Sequence, residues 1–335
     1  MDIATTPTTQ TMRSVVQDRY GSDADGTLRI AVVPRPIVDE GEVLVRVAAA
    51  SVDMGTVHLL TGEPYGMRLA GFGVRSPKAP NPGRAFAGTV ESVGDGVVGF
   101  RPGDEVYGAC DGSFAEYVRA DPSSLALRPS SITFEQAAAT PISGGTALQA
   151  VRRGGVRPGQ SVLVIGASGG VGTFAVQIAK ATGARVTGVA STSKLDLVCA
   201  AGADEVIDYT QTSITDSGKH HDVIIDTGGN IPLTQLRRAM TERGTLVIVG
   251  GETSGRILGG FARALRAVVL SPVVSQRLAF LASTEDAEVL DELRELIDSG
   301  RVTPMVERTY PLSEVPDAIR HVSEGRARGK IAITV

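Results

Sequence analysis

The sequence Val162-Leu-Val-Ile-Gly-Ala-Ser-Gly-Gly-Val-Gly172 joins an apolar strand to a glycine-rich turn, and residues 173–182 continue as a helix with one apolar face. A strand, a glycine turn and a helix in this order are what a dinucleotide-binding fingerprint requires. Gly169 lets the backbone approach a pyrophosphate, Gly172 lets the helix pack closely on the strand, and the helix N-terminus offers unpaired N–H groups to the anion. The alternative is a tight turn that binds no ligand. The predicted cofactor loop comprises Gly166, Ala167 (in place of the usual first glycine), Ser168, Gly169, Gly170, Val171 and Gly172.

The end of the next apolar strand indicates which nicotinamide cofactor is bound. An NAD-selective site places Asp or Glu there to accept hydrogen bonds from the ribose 2′-hydroxyl, whereas this chain reads Val189-Ala-Ser-Thr-Ser-Lys194. The hydroxyls of Ser191 and Ser193 and the ammonium of Lys194 suit a 2′-phosphate, so we expect NADPH. Ser191 or Ser193 could instead cap a helix over residues 194–201, and the two roles are compatible.

The pattern of secondary structure divides the chain into two domains. Strands and helices alternate regularly within residues 133–274, which predicts an α/β domain with a doubly wound parallel sheet. Residues 12–132 carry short β-branched runs separated by Gly, Pro and Asp, which is typical of a mostly β domain. In residues 275–335, Ser283 and Asp286 resemble a capping box before an apolar-faced helix, and an alternating strand closes the chain. We expect this last part to return to the first domain.

The composition argues against several classes of protein. The 335 residues fit two domains better than one, and 42% hydrophobic with 21% charged residues predicts a globular chain. A formal charge of −4 offers no cationic surface for nucleic acid or for an anionic membrane. The only cysteines, Cys110 and Cys199, cannot build a disulfide framework. Residues 1–11 lack a signal-peptide pattern and predict a flexible tail, and without a membrane span we expect a cytoplasmic protein.

Several further motifs occur in an order typical of one superfamily. They are Gly41-Glu-Val-Leu-Val-Arg-Val47, Gly88-Thr-Val-Glu-Ser-Val-Gly94, Pro102-Gly-Asp-Glu-Val106, Gly112-Ser-Phe-Ala-Glu-Tyr117 and Gly329-Lys-Ile331. With the glycine loop, they make the chain resemble the medium-chain dehydrogenase/reductase superfamily, in its zinc-free quinone oxidoreductase (zeta-crystallin-like) branch. The resemblance implies a GroES-like catalytic domain, here residues 12–132 and 275–335, and a Rossmann NADPH-binding domain, here residues 133–274. It places the active site in the cleft between them and implies a homodimer.

The same resemblance implies further cofactor contacts. Tyr209 is expected to join Ser191 and Lys194 around the 2′-phosphate. Thr146, in Gly144-Gly-Thr-Ala-Leu148, matches the threonine beside the nicotinamide, although it could also be a buried helix hydroxyl. A further pair at the end of a strand fits the turn near the nicotinamide ribose: Gly250 and Gly251.

The positions that bind zinc in the other branch of the superfamily decide the expected chemistry. Zinc alcohol dehydrogenases place a Cys and a Gly-His-Glu there, but this chain has Asp53 and Gly83-Arg-Ala85. Arg84 and Ala85 are not metal ligands, and one carboxylate cannot hold a tetrahedral ion, so no metal is expected. Without a Lewis acid, electron-poor conjugated acceptors take hydride more readily than simple ketones do. The expected substrate is therefore a quinone or an α,β-unsaturated carbonyl.

Candidate catalytic residues follow Ser51-Val-Asp53. The family has Asn where Asp53 stands, and a carboxylate donates a hydrogen bond only when it is protonated, so Asp53 is either catalytic or the N-cap of a helix over residues 54–60. Tyr65 resembles the family's substrate-side tyrosine and could bond the carbonyl oxygen, or it is a surface loop aromatic. His58 lies between them and could line the pocket or only pack.

Three functions are consistent with these features. The first is an NADPH-dependent reductase of quinones or enones. The second is a zinc-independent alcohol dehydrogenase or carbonyl reductase, in which Asp53 and His58 would transfer protons. The third is a non-catalytic NADPH-binding protein like the lens crystallins. Two departures from the family pattern favour it: Asp53 stands in place of the Asn, and Val57 in place of an aromatic residue.

Overall fold

The order of strands in the two main sheets determines where a ligand can bind. The computed structural model describes residues 10–250 and 261–335. In these residues the strands are β1 Thr11–Gln17, β2 Leu28–Pro34, β3 Val43–Val52, β4 Ala85–Val93, β5 Glu105–Ala109, β6 Tyr117–Ala120, β7 Leu125–Leu127, β8 Ser161–Ile165, β9 Arg185–Ala190, β10 Glu205–Asp208, β11 His221–Asp226, β12 Met240–Ile248, β13 Arg277–Phe280, β14 Val306–Pro311 and β15 Lys330–Thr334. The helices are α1 Ala24–Thr27, α2 Met54–Thr61, α3 Phe134–Ala138, α4 Pro141–Gly154, α5 Gly170–Ala181, α6 Leu195–Ala200, α7 Leu233–Arg238, α8 Phe261–Leu270, α9 Ala287–Asp298 and α10 Val315–Ser323.

The nucleotide-binding sheet is parallel, in the order β10-β9-β8-β11-β12-β13. Strand β8 pairs with β9 on one side and with β11 on the other, so the winding of the chain reverses direction at β8. Ligands of open α/β sheets bind beyond the carboxyl ends of the strands at such a reversal. The predicted doubly wound sheet is confirmed, and its crevice lies where β8 leads into the glycine loop.

Both faces of this sheet are covered, which explains why β8 is apolar at successive positions. Val162 and Val164 pack into one core cluster, together with Phe174 of α5. Leu163 and Ile165 pack into a second cluster on the opposite face. The strand that leads into the glycine loop is therefore fixed from both sides.

The second sheet is the mostly β part of the molecule, in the order β14-β15-β3-β4-β5-β7, with β6 also paired to β3. Strand β15 runs antiparallel to β3, with Ile331 opposite Val52, so the carboxyl end of the chain lies in the same sheet as its amino-terminal half. A separate hairpin joins β1 and β2. None of the described helices is long and apolar enough to cross a bilayer.

The structure differs from the sequence-based expectations at three places. The pattern did not predict the hairpin of β1 and β2. Strand β13 extends the parallel sheet to Phe280, beyond residue 274, where the sequence placed the end of that domain. The predicted capping box is wrong: Asp286 is the N-cap of α9 but makes no side-chain cap bond. The Ser283 hydroxyl instead accepts a hydrogen bond from Thr146.

Candidate active site

A cavity of about 960 Å³ lies between the glycine loop, the end of β3 and the segment that leads into β15. Residues from both domains line it, and most of the residues predicted for the site are among them. Those that line it are Asp53, His58, Thr146, Gly166, Ser168, Gly169, Gly170, Val171, Ser191, Lys194, Tyr209 and Gly250. Gly251 lies outside the described residues.

The glycine loop has the geometry of an anion cradle. Gly166 adopts φ +74°, and a Cβ there would come within 2.5 Å of the Thr227 hydroxyl oxygen, so Gly166 supplies the tight turn. A Cβ on Gly172 would lie 2.1 Å from the Gly166 carbonyl oxygen, so the start of α5 packs closely on the turn. The first N–H groups of α5 have no acceptor within the helix. A dinucleotide pyrophosphate fits this arrangement.

Two residues of the predicted loop do not line the cavity. Ala167 is fully buried and belongs to the core beside Phe174. Gly172 acts through its close packing on Gly166. These two residues shape the cradle, and Gly166 and residues 168–171 line it.

The far end of the cavity is lined by Ser191, Lys194 and Tyr209, the set expected around a 2′-phosphate. The Lys194 ammonium donates to the carbonyl oxygens of Gly325 and Ala327, both at 2.7 Å. The alternative that Ser191 or Ser193 caps the following helix is wrong, since neither the turn nor α6 has a side-chain cap bond. Neither the Ser191 nor the Ser193 hydroxyl therefore caps a helix.

Ser193 differs from its neighbours because it does not line the cavity. Its carbonyl oxygen accepts a hydrogen bond from Arg328, whose guanidinium also pairs with Asp196 at 2.6 Å. Arg328 brings a second cation close to Lys194. The sequence analysis missed it because Arg328 lies 135 residues from Ser193 along the chain.

At the other end of the cavity, Thr146 projects from α4 and donates to the hydroxyl of Ser283 at 3.1 Å. Both hydroxyls line the cavity, as does Gly250 after β12. Thr146 is therefore a cavity residue and also a largely buried helix hydroxyl, so the two interpretations of it are compatible. Ser283 is a site residue that the sequence analysis assigned to a helix cap.

Asp53 is the N-cap of α2, one of the two roles that the sequence left open, and it also lines the cavity. Its Oδ1 accepts from the backbone N–H of Thr56 at 3.1 Å, and the pair forms a capping box at the start of α2. Its Oδ2 is buried and has no hydrogen-bond partner within the described part of the chain. Because Asp53 also lines the cavity, this second oxygen is available to the chemistry of the site.

Lys330 carries the charge opposite to that of Asp53 and lies at ion-pair distance from it, and it is a site residue that the sequence did not indicate. Its Nζ lies 3.8 Å from Asp53 Oδ2 and donates to the Val52 carbonyl at 3.1 Å. Burial lowers the pKa of Lys330, and the Asp53 carboxylate opposes that shift. A lysine directly before the apolar residues 331–333 of the final strand was the signal available in the sequence.

Of the two further catalytic candidates, His58 lies at the cavity and Tyr65 does not. His58 lines the cavity, and its Nδ1 donates to the Glu63 carbonyl at 2.7 Å, because a carbonyl oxygen can only accept. Tyr65 does not line the cavity. Its ring lies 4.7 Å from the guanidinium of Arg68, and the residue is half exposed. The structure thus favours the alternative of a loop aromatic for Tyr65.

The positions that correspond to zinc ligands are engaged in other contacts. The Arg84 guanidinium pairs with Asp111 at 3.5 Å and with Glu285 at 3.1 Å, and Ala85 is buried in β4. Among the described residues, no three His, Cys, Asp or Glu side chains come together as a metal-binding group.

Comparisons with known proteins show which family the chain belongs to. Residues 39–130 match the alcohol dehydrogenase GroES-like domain, and residues 201–333 match the zinc-binding dehydrogenase family. The chain is 35% identical to "NAD(P)H oxidoreductase RTN4IP1, mitochondrial" of Mus musculus, over 99% of the chain and 92% of that protein. It is 33% identical to the 2-methylene-furan-3-one reductase of Solanum lycopersicum, over 89% of the chain and 73% of that protein. The solved quinone oxidoreductase from Coxiella burnetii superposes with a TM-score of 0.82 at 26% identity, covering 97% of this chain and 100% of that one.

These similarities extend through both domains, and the cavity between them retains the nucleotide cradle. The chain is an NAD(P)H-dependent oxidoreductase that belongs to the medium-chain dehydrogenase/reductase superfamily, in its zinc-free, quinone oxidoreductase-like branch.

Proposed function

We propose that this protein is an NADPH-dependent reductase of quinones or α,β-unsaturated carbonyls that works without a catalytic metal. One observation carries the proposal: a single cavity has hydroxyls and an ammonium at its nucleotide end and a buried Lys330–Asp53 pair at its substrate end. The bound cofactor would supply the hydride. The chain would supply its binding, the positioning of the acceptor, the exclusion of water and a proton.

The preference for NADPH rests on charge. Among the described residues that line the cavity, Asp53 is the sole Asp or Glu, and it lies away from Ser191, Lys194 and Tyr209. A 2′-phosphate there would meet Lys194 and no opposing carboxylate of the lining. An NAD-selective site would instead need a carboxylate to accept hydrogen bonds from the ribose hydroxyls.

The preference for a conjugated acceptor rests on the residues at the substrate end. The Arg84 guanidinium pairs with both Asp111 and Glu285, so these carboxylates are engaged in ion pairs. Hydride addition to a conjugated carbonyl needs a hydrogen-bond donor for the developing oxyanion, which an ammonium can provide. The name of the tomato relative, an enone reductase, agrees with this substrate class.

A second candidate is a metal-independent reductase of simple carbonyls, because His58 and Asp53 both line the cavity. Cofactor oxidation with a panel of acceptors distinguishes the two. We expect turnover of NADPH with naphthoquinones and vinyl ketones, little with aldehydes, and no loss of activity after treatment with a chelator. Turnover of aldehydes alone would favour the second candidate, and inhibition by the chelator that added zinc reverses would overturn the metal-free proposal.

A further inference from the structure

The Lys330 side chain places a charge where burial makes a charge costly. It is only 1% exposed, and the three residues that follow it in the strand are apolar and buried. An ammonium has three N–H groups. One donates to the Val52 carbonyl, and Asp53 lies at ion-pair distance. At least one N–H therefore has no hydrogen-bond partner within the described residues, although Lys330 lines the cavity.

Contacts from both domains fix the position of this lysine. A Cβ on Gly170 would lie 2.8 Å from Lys330 Cδ, so the aliphatic stem lies directly across the first residue of α5. The preceding residue, Gly329, donates its N–H to the Ser168 carbonyl at 2.9 Å. The ammonium is thus held between the cofactor cradle and Asp53. An acceptor that receives a hydride from the cofactor would lie beside it.

Stabilisation of the fold does not account for the pair. A buried ion pair seldom adds net stability, and when it does its atoms are satisfied by close hydrogen bonds. Here Asp53 Oδ2 is buried without a hydrogen bond, and the lysine stands 3.8 Å away. A buried, imperfectly satisfied ion pair that faces a cavity is typical of a functional site.

We propose that Lys330 is the proton donor of the reduction, and that Asp53 keeps its amine protonated until the substrate binds. The inference rests on the proposed function. As hydride from the reduced nicotinamide adds to the β-carbon of an enone, the electron pair of the C=C bond forms a new C=C bond and the carbonyl pair moves onto oxygen. That oxygen takes a proton from Lys330 Nζ, and the N–H electron pair stays on nitrogen. The enol then tautomerises, and water returns a proton to the amine.

Neighbouring groups are less suited to the role. His58 directs its Nδ1 proton to the Glu63 carbonyl, and a neutral ring then offers only an acceptor at Nε2. Glu285, after β13, does not line the cavity, and it forms an ion pair with Arg84 at 3.1 Å. Tyr65 does not line the cavity. Lys330 is the remaining charged donor at the substrate end among the described residues.

Two substitutions test the proposal. Lys330→Arg keeps a cation but cannot release its proton at physiological pH, and Lys330→Met removes both. We expect both variants to bind NADPH, measured by its fluorescence, and to lose about 100-fold in kcat with an enone. The loss should be smaller with a halogenated quinone, whose oxyanion is stable without a proton. Lys219→Met, at an exposed ion pair with Glu205, is the matched control.

The protonation of Lys330 can be measured without turnover. The chain has five lysines, so NMR of ¹³C-labelled lysine in the full-length protein resolves each one, and Lys330→Arg assigns the buried signal. We expect this signal to titrate at a lower pH than the others, and Asp53→Asn to move it lower still. Melting temperatures check that each variant folds.

The outcomes separate the two proposals. If the wild-type protein oxidises NADPH with none of the quinones or enones, the proposed function fails. If the wild type turns over the enone and Lys330→Arg retains the wild-type kcat, the proton-donor role is overturned. A loss of NADPH affinity with unchanged kcat at saturation would make Lys330 a cofactor ligand and would likewise overturn the role. A Lys330 signal that Asp53→Asn leaves unmoved would contradict the coupling to Asp53.

Discussion

Lys194 stands at the edge of the cavity with its ammonium already bonded to two backbone carbonyls. These carbonyls belong to Gly325 and Ala327, in the segment that leads into β15. A 2′-phosphate would meet a cation whose position is fixed before the cofactor binds. Since little side-chain freedom is then lost on binding, the residue can contribute to affinity as well as to selectivity.

Lys194→Ala should weaken the binding of NADPH by about 1–3 kcal/mol and leave NADH little changed, as expected for the loss of a charge-assisted contact. Titration of each cofactor by calorimetry measures the difference. Lys180→Ala, which breaks an ion pair with Asp204 near the opposite end of β9, is the control for removal of a surface charge. Equal losses for the two cofactors would argue against a phosphate contact at Lys194.

Single residues were predictable from the sequence where their signal is local. Ser191, Lys194 and Thr146 lie in short motifs, and all three line the cavity. Lys330 was not predictable in this way, because its partner Val52 lies 278 residues away. The same holds for Tyr65: its spacing from Asp53 suited the site, but stacking with Arg68 holds its ring at the surface.

At the scale of an element, the turn between β8 and α5 depends on two glycines in different ways. A Cβ at Gly172 would meet the Gly166 carbonyl oxygen at 2.1 Å, so the backbone itself must move. A Cβ at Gly169 would meet the same oxygen only at 3.4 Å, in a backbone conformation with φ −83° that any residue can adopt. Gly172 is therefore needed for the fold of the turn, whereas Gly169 lines the cavity in which the cofactor is expected to bind.

Gly172→Ala should destabilise the protein by about 1–3 kcal/mol, because the clash outweighs a helix-propensity gain of about 1 kcal/mol. Gly169→Ala should leave stability nearly unchanged and weaken NADPH binding. Urea denaturation and cofactor titration of both variants measure these effects. A Gly172→Ala protein as stable as the wild type would contradict the close packing described for this turn.

His221, at the start of β11, gives the parallel sheet a pH dependence. The ring is buried, its Nδ1 lies 2.9 Å from the Ser161 hydroxyl, and burial lowers the pKa of His221 below its ordinary value of 6.5. Glu205 and Asp222 oppose that shift, and Lys219 and His220 add to it.

The unfolded chain therefore binds a proton near pH 6.5 that the folded chain does not, so stability is full above that pH and falls as the pH drops through it. His221→Gln should flatten the free energy of unfolding between about pH 5 and 7. The exposed His220→Gln is the control. A wild-type free energy of unfolding that is constant over this range would rule out the assigned burial effect.

Whole elements were predictable where periodicity and punctuation agree. Strand β8 occupies Ser161–Ile165 and so confirms the apolar strand that the sequence predicts before the glycine turn. The hairpin of β1 and β2 was missed since its outward residues, such as Val32 and Ile30, are apolar and hide the alternation of a half-buried strand. The cap expected at Ser283 was wrong because that hydroxyl bonds Thr146 across the cavity.

At the scale of the molecule, the segment between α10 and β15 connects the two domains at the cofactor site. It accepts hydrogen bonds from Lys194, donates from Gly329 to the Ser168 carbonyl, and carries Lys330 across α5. Arg84 and Glu285 form an ion pair on another side of the cleft. Binding of the cofactor and positioning of the proton donor are thus built on one structural unit.

We propose that the protein forms a homodimer through the edge of the parallel sheet. Strand β13 pairs only with β12 among the described strands, and α8 and the turn after it expose Leu265, Val268, Val269 and Val273. Antiparallel pairing of β13 with a second copy would bury this apolar surface. Val268→Asp should yield monomers by light scattering, with cofactor affinity retained. A wild-type protein that is monomeric at high concentration would refute the dimer.

The central claim is that this cavity holds NADPH so that its hydride reaches the β-carbon of a conjugated carbonyl. NADPH carrying deuterium at the transferable position of nicotinamide C4 tests it directly, with a vinyl ketone as acceptor and NMR of the product. We predict deuterium on the β-carbon of a saturated ketone. Deuterium on the carbonyl carbon of an allylic alcohol, or no transfer to any conjugated acceptor, would contradict the account.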